Sequence, residues 1–488
     1  MAPSAIVETT SYANNPILTP TEPSTAISKT PILESASPSL LHRSLFEQPQ
    51  TVSSASGSYL TLHDGRQILD GCGGAAVACI GHGNEEVMAA TMAQMRKVSY
   101  VHTLSYTVDA AEELAHLLLH NPSSTNAHDF EKVYFVSSGS EANDAAMKLS
   151  RQFFFEQGQS QRKYFVARRQ AYHGNTIGAM SVSSFVARKI PYEDMLLPYV
   201  SFVSPAYAYQ YAQASESEAQ YCARLIAELE AEFLRLGPEN VISFIAEPVV
   251  GATSGCVASP RGYFPAVRKL CDKYGILLHL DEIMCGMGRT GTYFAFEQEE
   301  VVPDVVVVGK GLGGGYAPIA AVVISRKIVD GLRSGSSVFN HGHTYQAHPV
   351  ACATALAVQR IVSRERLVQR CAKMGQLLER LLRETFGESK YVGDIRGRGL
   401  FWALEFVKDK ATKSPLPKAI GFGLGVQQAA FDLGVALYPG GGTVDGVNGD
   451  HVLIAPPYIV SEADLTTIVR VLKEAYDLKA KSLEGLDF

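Results

Sequence analysis

The sequence predicts an α/β protein: a large, mainly parallel sheet covered by helices, followed by a smaller α+β part toward the C-terminus. Three observations carry this. Apolar strand-like runs alternate with helical stretches from about residue 130 to 325. The runs are hydrophobic enough to be buried, as strands covered on both faces are. Beyond about residue 330 the order changes to long helices and then short strands, which marks a second region.

The elements follow in chain order. Residues 1–40 are rich in Ser, Thr and Pro without periodicity and predict a mobile arm; 41–75 is an N-terminal segment packing with the small domain. From Ser58 the chain alternates like a strand, turns at Asp64 and Gly65, and pairs back as a hairpin. Helical spacing covers 85–97 and 109–120, with Asp109 suited to an N-cap. The large domain, 76–330, then has strands at 132–136, 163–167, 241–246, 276–280, 305–308 and 319–324. Helices at 140–152, 217–236 and 261–274 separate them. The small domain, 331–488, has its strands at 399–406 and 452–454.

Composition removes several classes of function. A chain of 488 residues that is 46% hydrophobic and 19% charged can bury a sizeable core. A net charge of −6 leaves no basic footprint for nucleic acid. The most apolar stretch, 301–324, is broken by Pro303, Asp304, Lys310 and a glycine cluster, so no membrane span is expected. Eight cysteines without C-x-x-C spacing, and no apolar leader, predict buried free thiols in a soluble cytoplasmic protein. Small molecules are the expected partners.

Two segments satisfy G-x-G-x-x-G, 286–291 and 309–314. A dinucleotide site also needs a helix opening at the glycines. Pro318 and a strand-like run follow the second match, and no clear helix start follows the first, so a nicotinamide-dependent oxidoreductase is the rejected alternative.

Four other features fall at the ends of successive strands, where open parallel sheets place their sites. Gly139 and Ser140 open a helix after a strand and would cradle a phosphate, though the segment is also an ordinary cap. The Tyr172-His173-Gly174 loop offers a ring to stack on a flat heteroaromatic, or a plain surface turn. Asp281 and Glu282 end an apolar strand; Asp281 would hold a ring nitrogen protonated, or simply cap a turn. Lys310 ends the most hydrophobic strand, where desolvation favours the neutral, nucleophilic amine; a snorkelling lysine is the alternative. Together they describe one site: phosphate cradle, ring stacker, ring-nitrogen acid and Schiff-base lysine.

GSEAND at 139–144, YHG at 172–174, LDEIMCGMGRTG at 280–291, VVVGKGLGGGY at 306–316, HGHTY at 341–345 and RGRGL at 396–400 resemble the class III aminotransferases, from about residue 57 onward. The resemblance implies the fold type I architecture with a seven-stranded sheet, pyridoxal 5'-phosphate (PLP) as cofactor, and a homodimer with shared active sites. It makes Lys310 the covalent lysine and proton shuttle, Asp281 the partner of the pyridinium nitrogen, and Ile283 the residue packing opposite Tyr172. It puts Gly139 and Ser140 on the phosphate, joined by Thr344 from the other subunit, and Glu247 near the cofactor. It gives Arg396 the grip on a substrate carboxylate. Family members acting on ornithine or 4-aminobutyrate carry Gln where Met284 stands and a gating Glu where Ala252 stands. Arg396 is therefore expected to have no acid folded over it. The implied reaction is ping-pong transfer of an amino group from an amine or amino acid to a keto acid or other carbonyl. Decarboxylation, racemisation or an amino shift would use the same residues.

Overall fold

The computed structural model describes residues 39–46, 48–124 and 128–485. All but the last two residues of the expected N-terminal arm lie outside that set. Met1–Gln50 and Thr51–Phe488 are separate compact units, and the described residues of the first carry no helix or strand.

Within the second unit the hairpin is present: Val52–Ser56, Tyr59–Leu62 and Gln67–Asp70 run antiparallel, and Val435–Ala436 joins the edge in parallel, far along the chain. The central sheet has seven strands, β1 (Phe130–Val136), β2 (Tyr164–Arg168), β3 (Val200–Val203), β4 (Val241–Ala246), β5 (Leu277–Asp281), β6 (Val305–Val308) and β7 (Ala320–Ser325). Their spatial order is β1-β7-β6-β5-β4-β2-β3. Five of them run parallel in one block from β6 to β3, while β7 is antiparallel to both its neighbours. The short edge strand β3 is an element the sequence did not announce. All four residues of β6 are valines of 0% exposure, each burial stabilising the sheet by about 2 kcal/mol.

Helix α1 (Gly139–Glu156) follows β1 at once, because Ser138 and Glu141 form a capping box. The N-cap position of the helix over Asp109–Leu119 is held by Val108, without a side-chain cap, rather than by Asp109, whose carboxylate is drawn instead to Lys97 at 2.8 Å. Towards the C-terminus a four-stranded antiparallel sheet contains Val392–Arg398, Phe401–Phe406, Tyr438–Gly441 and Asp450–Ile454. Gly399, at φ +55°, makes the turn between its first two strands, so the strand expected from 399 begins two residues later. Around it pack the helices Leu367–Phe386, Phe422–Asp432 and Glu462–Lys481. The glycines at 286–291 open no helix, and those at 309–314 lead through one short turn into β7. All eight cysteines are free and buried, and no described helix is long and apolar enough to cross a membrane.

Candidate active site

The carboxyl ends of β1, β2, β4, β5 and β6 converge on a cavity of about 290 Å³. Gly139, Ser140, Tyr172, His173, Glu247, Asp281, Ile283 and Lys310 all line it. The antiparallel β7 enters from the same end, so Ala317, Pro318 and Ile319 close that side.

Lys310 sits two residues past β6, after Gly309, at φ +45°, a left-handed backbone conformation uncommon for a residue with a Cβ. Desolvation lowers the pKa of its amine below the ordinary lysine value, against the opposing pull of Asp281 and Glu247. The amine is thereby moved toward the neutral form that attacks a carbonyl carbon.

Asp281 is fixed from three sides. His173 Nδ1 donates to its Oδ2 at 2.8 Å, the Asn143 amide donates to the same oxygen at 2.9 Å, and the Ile283 N–H donates to Oδ1 at 3.0 Å. Nδ1 is the protonated nitrogen, because a carboxylate only accepts. Burial alone would raise the Asp281 pKa. The hydrogen bond and charge of His173, with Ile283 and Asn143, outweigh it and hold the carboxyl below the usual range. Asn143 also donates to the His173 carbonyl at 2.8 Å, and the His173 N–H donates to Ser183 Oγ at 2.7 Å. The ionised oxygen is thus aimed by a rigid frame. Glu282, next in sequence, goes the other way. It caps the Ala295 and Phe296 N–H groups, both at 2.7 Å, and desolvation pushes its carboxyl up to about 8.

At the start of α1 the capping box is realised: Glu141 accepts the Ser137 and Ser138 N–H groups at 2.8 and 3.2 Å. The next two N–H groups, of Gly139 and Ser140, have no acceptor within the helix and form an anion-binding end. The cap and the cradle are therefore both present, one residue apart. The backbones here approach as closely as glycine permits. A Cβ on Gly139 would lie 2.5 Å from Ile283 Cδ1, and one on Gly174 would lie 2.5 Å from Ser140 Oγ. Anion cradle, ionised carboxylate and amine of lowered pKa share one cavity, and these residues fit PLP.

Glu247 accepts from the Tyr172 N–H at 3.1 Å and the Gly251 N–H at 3.0 Å, so it ties two walls of the cavity together. Burial raises its pKa. Arg168, buried at the end of β2, holds the Glu247 carbonyl and bonds Ser259 Oγ at 2.9 Å. Asn143, Arg168 and Ser183 were missed from the sequence. Asn143 alone had a readable signal, lying one turn past Gly139 on the same helix face.

Two of the site residues named from the sequence do not line this cavity, and for Thr344, placed on the partner's phosphate, that is the expectation. Thr344 is exposed and lines no part of it. Arg396 does not line it either, and the expectation that no acid covers its guanidinium is corrected. Nη1 lies 2.9 Å from Asp394 Oδ2 and 2.6 Å from Glu405 Oε2. Nε donates to the Gly255 carbonyl at 2.6 Å, Nη2 donates to the Ser254 carbonyl, and the group lies 4.8 Å over the Tyr207 ring. The cause is strand periodicity: Asp394 and Arg396 are two residues apart in one strand, and Glu405 pairs with Asp394 across the ladder, so all three face the same way.

A family model described as aminotransferase class-III matches residues 44–476. The chain is 47% identical over 435 residues to an uncharacterised aminotransferase of Schizosaccharomyces pombe, covering 89% of this chain and 94% of that one. It is 34% identical over 449 residues to a vanillin aminotransferase of Capsicum chinense, covering 90% and 94%. An omega transaminase from Pseudomonas jessenii, solved in complex with PMP, has a TM-score of 0.83 at 33% identity, covering 89% of this chain and 93% of that one.

Proposed function

The chain belongs to the class III aminotransferases, and from that premise we propose that Lys310 is its covalent lysine and proton carrier, acting on a primary amine with an apolar, uncharged body. Enzymes of this class depend on PLP and transfer amino groups between small amines and carbonyl compounds. When bound, PLP supplies an aldehyde to take up the amino group and an aromatic ring to draw electrons from the bond being broken. Gly139 and Ser140 would hold its phosphate, Tyr172 and Ile283 would confine its ring, and Asp281 would keep its ring nitrogen protonated. The neutral Nζ of Lys310 would remove the proton from the donor carbon bearing the amino group and hold it for return in the same half-reaction. The second half-reaction, with a keto acid or other carbonyl, runs these proton movements in reverse.

The observation that carries this reading is the shared cavity of Lys310, with its lowered pKa, and Asp281, framed by His173 and Asn143. Val77, Ala252 and Met284 form apolar parts of the wall. Lys310 is the only basic side chain besides His173 on the described lining, which favours donors without an anionic group. Borohydride treatment of the loaded enzyme and peptide mapping tests the lysine: a pyridoxyl label on the Lys310 peptide is expected, and one elsewhere overturns the reading.

A homodimer accompanies it, with Thr344 reaching the phosphate of the partner's site. The exposure of Thr344 on its own chain supports this, as do the exposed neighbours Tyr345 and Tyr100, whose rings lie 5.9 Å apart, and Leu104. Sedimentation should give twice the chain mass, and an active monomer would refute it. Eight buried free thiols support a reducing compartment, the cytoplasm.

A further inference from the structure

We propose that Arg396 is a positioning residue that sets the size of donor the enzyme admits, by clamping the loop that carries Ala252. This rests on the assignment of the cavity beside Lys310 to the substrate. The loop follows Glu247 as the tip of a tight ribbon in which Val249 pairs with Ala258 and Val250 with Val257. Ala252 lines the cavity, while Thr253 and Ser254 are buried at 3% and 2% exposure and Cys256 at 0%. A buried loop must satisfy its backbone from other parts of the chain.

Three side-chain contacts tether it, and two of them satisfy its backbone. Glu247 takes the Gly251 N–H at 3.0 Å. Thr253 Oγ1 donates to the carbonyl of Gln170, two residues before Tyr172. Arg396 takes the Ser254 and Gly255 carbonyls through Nη2 and Nε, and its third nitrogen is anchored on Asp394 and Glu405. The anchor is itself held, since Gln210 donates to Glu405 at 2.6 Å and Tyr207 donates to the same carboxylate. One residue of unfavourable backbone lies under the clamp, Cys256 at φ +56°, next to Gly255 at +68°, where glycine is at ease. The loop also braces the next wall residue: a Cβ on Gly251 would lie 2.4 Å from Met284 Sδ. Shifting the loop therefore moves Ala252 and Met284 together. No lysine can reproduce the clamp, because one ammonium cannot span two carbonyls and two carboxylates in the plane of a guanidinium.

The test uses the loaded enzyme with one keto acid acceptor and a series of aliphatic primary amines of increasing branch length. Arg396→Lys is expected to raise the kcat/KM ratio of the bulkiest to the smallest donor by about tenfold, the scale of a change of one or two methylenes in a pocket. The shift should come mainly from the KM of the bulky donors, and the kcat of the smallest should change by only a few-fold. Thr253→Val, which cuts a different tether of the same loop, should move the ratio in the same direction. Both variants should speed hydrogen exchange in peptides spanning 249–258 while leaving those around Lys310 unchanged. Ala252→Leu should shift the ratio the opposite way. An equal fall for all donors, with exchange unaltered, would make Arg396 a general staple and overturn the proposal. So would a selective loss of carboxylate-bearing donors, which would return Arg396 to substrate binding. Unchanged selectivity in Ala252→Leu would overturn the cavity assignment as well, whereas a normal response there with no response in the other two variants sinks the clamp alone.

Discussion

Two buried charge clusters lie at the two ends of the loop from Glu247 to Cys256, and they are built from similar parts. Around Asp281, a histidine, an amide and a backbone N–H hold one carboxylate ionised, and that carboxylate lines the cavity. Around Arg396, two carboxylates, a tyrosine ring and two backbone carbonyls hold one guanidinium, and it lines no part of the cavity. Burial and charge are common to both. The difference lies in what each central group still has free: Asp281 is oriented without being exhausted, whereas Arg396 meets an acceptor at every nitrogen. A buried ion supports chemistry when its frame leaves a direction open, and supports shape when the frame closes around it.

That contrast can be broken by substitution. The largest effect belongs to Lys310, at the open end of the first cluster: Lys310→Ala should lower kcat by about 10⁴-fold, measured under single-turnover conditions. Asp281→Asn keeps the shape and removes the charge, and should lower kcat by roughly 10²- to 10³-fold with little change in melting temperature. Glu405→Ala should do the reverse. Unpairing a buried ion there should cost about 3 kcal/mol of folding stability in denaturant titrations, with the turnover of the smallest amine falling far less. If Glu405→Ala proved the rate variant and Asp281→Asn the stability variant, the comparison would be inverted.

A pH effect sharpens it within one strand end. Glu282 has its folded pKa raised to about 8 from an unfolded value of 4.5. Between those values the folded chain holds a proton that the unfolded chain has released. Its contribution to stability is therefore fully present below pH 4.5 and is lost as pH rises through about 8. Glu282→Gln should flatten the pH dependence of stability across that window, read as the slope rather than the height of the melting curve. An unchanged slope would show that Glu282 is ionised in the fold like its neighbour.

The strand ends of the site were legible because β5 and β6 are short apolar runs ending abruptly in a charge, and a sequence shows that directly. Tyr172 and Ser140 came from the same reasoning, a short loop past a strand, whereas Glu247 came from the resemblance alone. Asn143 was legible only as far as its place one turn past Gly139, since its meeting with Asp281 depends on how α1 crosses the sheet. The edge strand β3, four residues and half-buried, carries too little pattern to stand out. Arg396 failed for a different reason. Its motif suggested a ligand, but the strand Val392–Arg398 went unassigned, and without it the period of two linking Asp394 to Arg396 could not be used. Local alternation was present in the residues and needed the right frame to be read.

The reversed direction of β7 has a consequence for how the molecule assembles. Because β7 returns directly beside β6, the loop bearing Lys310 is closed by contacts between residues near one another in sequence, such as Val308 and Ala321. The anion-binding end is delivered by β1, which docks on the far side of β7, Val136 against Ala320, only after the whole intervening chain has been gathered in. Contacts of short span form early and those of long span late. The lysine loop should therefore gain protection in the first phase of refolding, and the Gly139 end should gain it in the last. PLP added to refolding chains should leave the early phase unchanged and act only on the step that brings β1 home.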